Sequence, residues 1–276
     1  MADFLQIVRD KHTITVYNKD MIVERAEHIV DFHTHVLPGI DDGSRDLTET
    51  RGLLQEESQQ NVDCVIATPH FYADRFSVEE FLKRRQRALQ SVLDDSKITA
   101  VGRPSLCVGA EVYFFPGMGR AEKLRSLCIE GTDVILIEMP FVQWTEDVLR
   151  EVREVISRQK LQVVLAHVER YPQFQKDQRI WRQVMDLPLT IQMNGGSFIK
   201  DRRRRRMCLQ LLREHERALL GSDCHNLSSR VPNLEEARRV IAKKLGDGVL
   251  ERIDQIAREL LKGATEMMLE QDDETS

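Results

Sequence analysis

Five of the eight histidines in this chain of 276 residues stand at the ends of short apolar runs, and carboxylates stand at matching places. The first run ends Asp31-Phe-His33-Thr-His35, the next Thr68-Pro-His70, and two more end Gly109-Ala-Glu111 and Ile137-Glu138. Later runs end Ala166-His167 and Gly221-Ser-Asp223-Cys-His225. Imidazole nitrogens and carboxylate oxygens are ligands for divalent cations. Without thiolate they suit Mn²⁺, Fe²⁺ or Zn²⁺ better than a soft metal or an iron–sulfur cluster. Side chains two apart on a strand share a face, so His33 and His35 can reach one ion, and Asp223 and His225 pair in the same way. Singly, each has a plainer explanation. A lone histidine beside a strand is ordinarily a structural hydrogen-bonding residue, and Glu138 alone would be a solvated loop carboxylate. The coincidence carries the reading: His33, His35, His70, His167 and His225 with Asp31, Glu111, Glu138 and Asp223 are too many for one ion. Two or three ions bridged by carboxylates are expected.

Such residues, scattered over most of the chain, meet only if the elements between them converge. Seven β-branched or apolar runs are candidate strands, at 28–32, 62–67, 106–109, 133–137, 162–166, 189–193 and 217–221. Amphipathic stretches near 45–60, 77–95, 145–159, 175–185 and 202–215 lie between most of them, and two more follow near 233–245 and 247–261. Strand–helix alternation indicates a parallel sheet with crossover helices. Seven such units suggest a closed barrel, whose chemistry gathers at the C-terminal ends of its strands. Residues 12–17 form a candidate edge strand, and Gln271-Asp-Asp-Glu-Thr-Ser276 reads as a frayed acidic tail.

The string His33-Thr-His-Val-Leu-Pro-Gly-Ile-Asp-Asp42-Gly resembles the opening motif of the PHP (polymerase and histidinol phosphatase) superfamily. More narrowly, the chain is similar to the bacterial tyrosine-protein phosphatases of capsule and exopolysaccharide loci. The motifs Ala67-Thr-Pro-His70, Gly109-Ala-Glu111-Val-Tyr, Leu136-Ile-Glu138, Ala166-His-Val-Glu-Arg170-Tyr and Ser222-Asp-Cys-His-Asn-Leu-Ser-Ser-Arg230 follow in the matching order. The resemblance implies a single-domain α/β fold, a distorted (β/α)7 TIM-like barrel over residues 29–265. It would be preceded by an N-terminal extension (1–28) and followed by an acidic tail (266–276). It implies three metal ions, usually manganese, with Fe²⁺ or Zn²⁺ as possible occupants of some sites. One ion would take His33, His35, Glu111 and Asp223. A second would share Glu111 and add Glu138 and His167. A third would take Asp42, His70 and His225. Arg170 and Arg230 match the family's phosphate-binding arginines. The extension of about 28 residues and a short segment between Asn194 and Asp223 depart from the family pattern.

Four ligand carboxylates against three divalent ions leave a charge of about +2, matched to a phosphate monoester dianion. The expected reaction is hydrolysis of phosphotyrosine by metal-bound hydroxide, with no phosphoenzyme. A tyrosyl phenolate, of pKa near 10, leaves without a strong general acid. The resemblance implies, as partner, the tyrosine-rich tail of a bacterial tyrosine kinase in polysaccharide export. Two rival readings are another phosphomonoesterase of the superfamily, such as histidinol phosphatase, and a metal-bound regulatory protein without turnover. A third mechanism is suggested by Cys224 and Arg230, which have the C-x5-R spacing of thiol-dependent tyrosine phosphatases. That loop lacks glycine, and Asp223 would oppose a thiolate, so the spacing is read as chance.

Composition narrows the rest. Hydrophobic residues are 41% and charged residues 31%, enough for a buried core. The longest apolar runs are far shorter than the roughly 20 residues of a membrane helix, and the N-terminus lacks a secretory pattern. A formal charge of −5 argues against nucleic-acid binding. Five widely spaced cysteines without a CxxC pair do not read as a disulfide framework, and a reducing cytoplasm is the expected location. The run Asp201-Arg-Arg-Arg-Arg-Arg206 is read as a solvated helix start, with attraction of acidic phosphopeptide as a further role. An oligomer is compatible with all of this.

Overall fold

The computed structural model describes residues 29–99, 104–262 and 264. The N-terminal extension, the edge strand at 12–17 and the acidic tail lie outside those residues. In chain order the elements are β1 (Val30–Thr34), α1 (Leu47–Gln59), β2 (Cys64–Ala67), β3 (His70–Phe71), α2 (Val78–Leu93) and α3 (Ser96–Thr99). Then come β4 (Ser105–Val108), β5 (Glu111–Tyr113), β6 (Val134–Glu138), α4 (Glu146–Ser157), β7 (Gln162–Leu165) and α5 (Gln178–Met185). The last are β8 (Thr190–Asn194), α6 (Gly195–Ile199), α7 (Arg202–Glu214), β9 (Ala218–Gly221), α8 (Leu234–Leu245) and α9 (Asp247–Leu260).

Local chemistry accounts for the helix ends. The side chains of Asp46, Ser77 and Asp201 accept hydrogen bonds from the N–H groups of Glu49, Glu80 and Arg203 at the starts of α1, α2 and α7. Gly246, at φ +86°, stops α8 and turns the chain into α9. On α4 the buried residues are Val148, Leu149, Val152 and Val155, the stripe a helix needs to cover a sheet.

Every strand pair is parallel. One ladder runs β1-β2-β4 and another β3-β5-β6-β7-β8-β9. The division is local. Thr68-Pro69 separates β2 from β3, and proline has no N–H to give to a ladder. Gly109-Ala110 separates β4 from β5 in the same way along the neighbouring stave. Bridging bonds cross both breaks: Gly109 N–H donates to Ala67 O at 2.8 Å and Glu111 N–H to Pro69 O at 3.1 Å. The ring closes between the first and last staves. Thr34 bridges Cys224 in parallel, His35 N–H donates to Cys224 O at 3.0 Å, and Asp223 N–H donates to His33 O at 2.8 Å. Seven staves therefore form the distorted (β/α)7 barrel.

Strand alternation sorts the core into two layers. Phe32, Ile66, Leu136 and Val164 pack in an inner layer to which α9 adds Ile256, Ala257 and Leu260. Their neighbours Val65, Leu106, Ile135 and Val163 belong to the outer layer under the helices. Between β5 and β6 the crossover is built from two 3₁₀ turns, Met118–Arg120 and Leu124–Leu127, rather than a helix. No helix among the described residues is long and apolar enough to cross a membrane.

Candidate active site

The carboxyl ends of the staves deliver ligand-type side chains to one mouth. His33 Nε2 and His35 Nε2 lie 3.2 Å apart. Glu111 sits among the imidazoles: its Oε2 is 3.2 Å from His33 Nε2, 3.4 Å from His35 Nε2 and 2.8 Å from His70 Nδ1. Its Oε1 is 2.9 Å from His167 Nε2, which is also 3.4 Å from Glu138 Oε1. Asp223 Oδ1 lies 3.7 Å from His33 Nε2 and 3.5 Å from His35 Nε2. Asp42 Oδ1 is 3.4 Å from both His70 Nε2 and His225 Nε2. Thus His33, His35, Asp42, His70, Glu111, Glu138, His167, Asp223 and His225 come together. Three overlapping sets have donor atoms within 4.8 Å of one another: His35, Asp42, His70 and His225; His33, His35 and Glu111; His70, Glu111 and Glu138. The last set has His70 where the sequence resemblance implies His167, although His167 contacts both carboxylates of that set.

Asp31 does not join them. The strand register shifts between Asp31 and Thr34, which breaks the alternation that would place Asp31 on the face of His33. Its carboxylate instead accepts from Ser222 N–H at 2.9 Å and His33 N–H at 3.1 Å, tying β1 to the segment after β9. Glu57 of α1 lies beside this knot, 3.4 Å from Ser222 Oγ. Burial, and then the charge of Asp31, push the Glu57 carboxyl well above the usual range. Cys224 Sγ is buried against Glu57 Oε1 at 3.8 Å. Burial, followed by Glu57 and Asp31, pushes its thiol well up. A thiolate nucleophile is incompatible with that setting.

Outer partners fix how the imidazoles point. His35 Nδ1 donates to Asp41 Oδ2 at 2.7 Å, and Asp41 also accepts from His70 N–H and Gly43 N–H. His33 Nδ1 donates to Gln192 Oε1 at 3.1 Å, and His225 Nδ1 to Asp223 O at 3.0 Å. Each bond leaves Nε2 with its lone pair toward the mouth. Gln192 also accepts from His167 N–H, and its amide leads through Asn194 to Asp223 Oδ2. Sequence reasoning missed Asp41, Gln192 and Asn194. The available signals were a second acid beside Asp42 and an amide inside an apolar run. His167 and Asp223 stand in the left-handed region, at φ 31° and 54°, a strained backbone for residues with side chains. Gly221 is required beside them, because a Cβ there would lie 2.6 Å from His33 Cβ.

Charge balances within the cluster. Burial opposes ionisation of Glu111, but His33 and His70 outweigh it and hold the carboxyl well below its usual range. Burial likewise opposes protonation of His167, yet Glu111 and Glu138 lift it to about 9. His35 and His70 are raised by the same contest, against Asp41 and Glu111 respectively.

Beside the cluster opens a cavity of about 540 Å³ whose lining includes Phe141, Arg170, Phe174, Asp223 and Arg230. Arg230 reaches Asp223 Oδ1 at 2.6 Å and Arg170 lies 4.0 Å from Asp223 Oδ2. Arg170 does not pair with Glu169, which is buried and accepts from Ser197 Oγ at 2.7 Å. Its guanidinium lies 4.8 Å over the Phe141 ring, and that ring stacks on His167 at 5.9 Å.

The residues fit a polynuclear metal centre. Glu111 Oε2 and His225 Nε2 are buried and make no hydrogen bond among the described residues, although donor-type nitrogens or a carboxylate crowd each. Atoms so placed are aimed at a shared point rather than at one another. Fold and site together define a parallel barrel with a carboxylate–imidazole cluster of metal-ligand type at its carboxyl rim.

The family of capsular polysaccharide synthesis proteins CpsB/CapC matches residues 29–261, and the chain belongs to it. It is similar to the tyrosine-protein phosphatase CpsB of Streptococcus pneumoniae, 26% identical over 235 residues that cover 79% of this chain and 91% of the relative. It is 24% identical to the tyrosine-protein phosphatase YwqE of Bacillus subtilis over 245 residues, covering 86% and 93% of the two chains. A crystal structure from work on YwqE and CpsB, described as unique metal-dependent tyrosine phosphatases, superposes with a TM-score of 0.73 at 22% identity. That match covers 86% of this chain and 96% of the other, and it agrees with the barrel fold.

Proposed function

We propose that this chain is a metal-dependent protein-tyrosine phosphatase acting on a phosphorylated bacterial tyrosine kinase in capsule or exopolysaccharide synthesis, in the cytoplasm. The carrying observation is the joined pair of sites: a buried imidazole–carboxylate cage opening onto a cavity with two arginines and an aromatic wall. The names of the relatives support the same reading. The nine ligand-type residues would hold the ions, three Mn²⁺ in the fullest case. Divalent ions there supply activated water and positive charge for a phosphoryl group.

The chain's own side chains do the rest. Arg170 and Arg230 present planar forks to phosphoryl oxygens, and both guanidinium groups are already drawn to Asp223 at the cluster's edge. Phe141 holds Arg170 from below and, with Phe174, offers an apolar flank for an aryl ring. Gln192 and Asp41 hold His33 and His35 in the tautomers that ligation needs. The phenolate formed from phosphotyrosine departs without a dedicated acid.

The test is a substrate panel run with metal analysis of the purified protein. Phosphotyrosine peptide should be turned over with Mn²⁺ and not after chelation. A hundredfold higher kcat/KM for histidinol phosphate would overturn the assignment. Metal-loaded protein that binds a kinase tail but hydrolyses no phosphoester would point to a regulatory role instead.

A further inference from the structure

The arginine run at the start of α7 is not uniformly a solvated face. Arg204 from that run and Lys200, which precedes α7, line the same cavity as Arg170 and Arg230. Lys200 Nζ donates to Ser229 O at 3.2 Å, a bond that leaves its charge uncompensated. No ion pair engages Arg204 among the described residues, and its side chain is exposed. The four cations of the lining, Arg170, Lys200, Arg204 and Arg230, outnumber its two acids, Asp201 and Asp223. Asp201 accepts from Arg203 N–H as the cap of α7, and Asp223 is held by Asn194 and Arg230. The cavity thus has two sets of cations. One, Arg170 with Arg230, reaches the ligand cluster at Asp223, and the other, Lys200 with Arg204, makes no ion pair with that cluster among the described residues. A phosphoryl group needs only the first.

We propose that Lys200 and Arg204 form a second anion subsite, which selects phosphotyrosine peptides carrying an acidic side chain next to the phosphorylated residue. This rests on the phosphatase reading and names the substrate class within it. Exposed cations act through screened attraction, so the effect falls on KM and weakens with salt. Two such contacts give a preference of about fivefold.

The experiment compares kcat/KM for peptides with Glu, Gln or Lys placed at each position flanking phosphotyrosine, at low and high ionic strength. Wild-type protein should prefer Glu over Gln at one or more positions by about fivefold, through KM, with the ratio shrinking in salt. In K200A/R204A the ratio should fall to near one. Arg204→Glu should reverse it, so that the Lys peptide becomes the better substrate; a ratio of two activities is unaffected by partial loss of folded protein. Equal turnover of the Glu and Gln peptides by wild-type protein, or an unaltered ratio in Arg204→Glu, would overturn the subsite while leaving the phosphatase reading intact. Absence of turnover on every phosphotyrosine peptide by metal-loaded protein would instead overturn the reading beneath it, and the subsite with it.

Discussion

His33 and Asp223 meet across 190 positions of sequence, and in the proposed centre each would contact a cation. His33→Ala and Asp223→Ala should each lower phosphatase activity by roughly two orders of magnitude or more, with circular dichroism unchanged. Cys224→Ser should keep most activity, because the thiol is buried against Glu57 and lies off the cavity lining. Near-total loss in that variant, with the fold retained, would restore the thiol mechanism. At this scale the sequence was informative where a reactive type ended a strand. It was uninformative for Gln192 and Asp41, whose role is to accept a hydrogen bond from an imidazole N–H. An amide or acid in that role differs in no way, as a letter, from any other polar residue.

Elements place these groups through their ends and their irregularities. The seven main strands were legible because β-branched runs alternate with amphipathic stretches. Strands β3 and β5, of two and three residues, were not separable from the runs they extend, since Pro69 and Gly109 interrupt only the ladder and not the stave. The shift in register on β1 was also invisible, because alternation is assumed in any reading of spacing. Its result is the Asp31 knot between β1 and the segment after β9. Asp31→Ala would leave the buried N–H groups of Ser222 and His33 without their acceptor. It should cost roughly 3 kcal/mol in urea unfolding at unchanged m-value. A loss below about 1 kcal/mol would show that the knot does not hold the seam.

For the molecule as a whole, the cluster makes stability depend on what fills it. In chelated protein, His35, His70 and His167 have folded-state pKa values above the unfolded value near 6.5, and His167 stands at about 9. Protons on these groups therefore stabilise the fold fully below pH 6.5, and that contribution is lost as pH rises toward 9. The chelated protein should show a falling Tm across that window. Protein loaded with Mn²⁺ should not, because cations take the place of the protons. Parallel Tm curves in the two samples would contradict the arrangement of charges derived above.

The seam at which Thr34 meets Cys224 also sets when chemistry can begin. Two of the residues that complete the cage emerge from the ribosome some 190 positions after the first two, so a nascent or truncated chain has only a partial basket. Competence would thus wait for Asp223 and His225 to be made, and a fragment that stops before them should hydrolyse nothing.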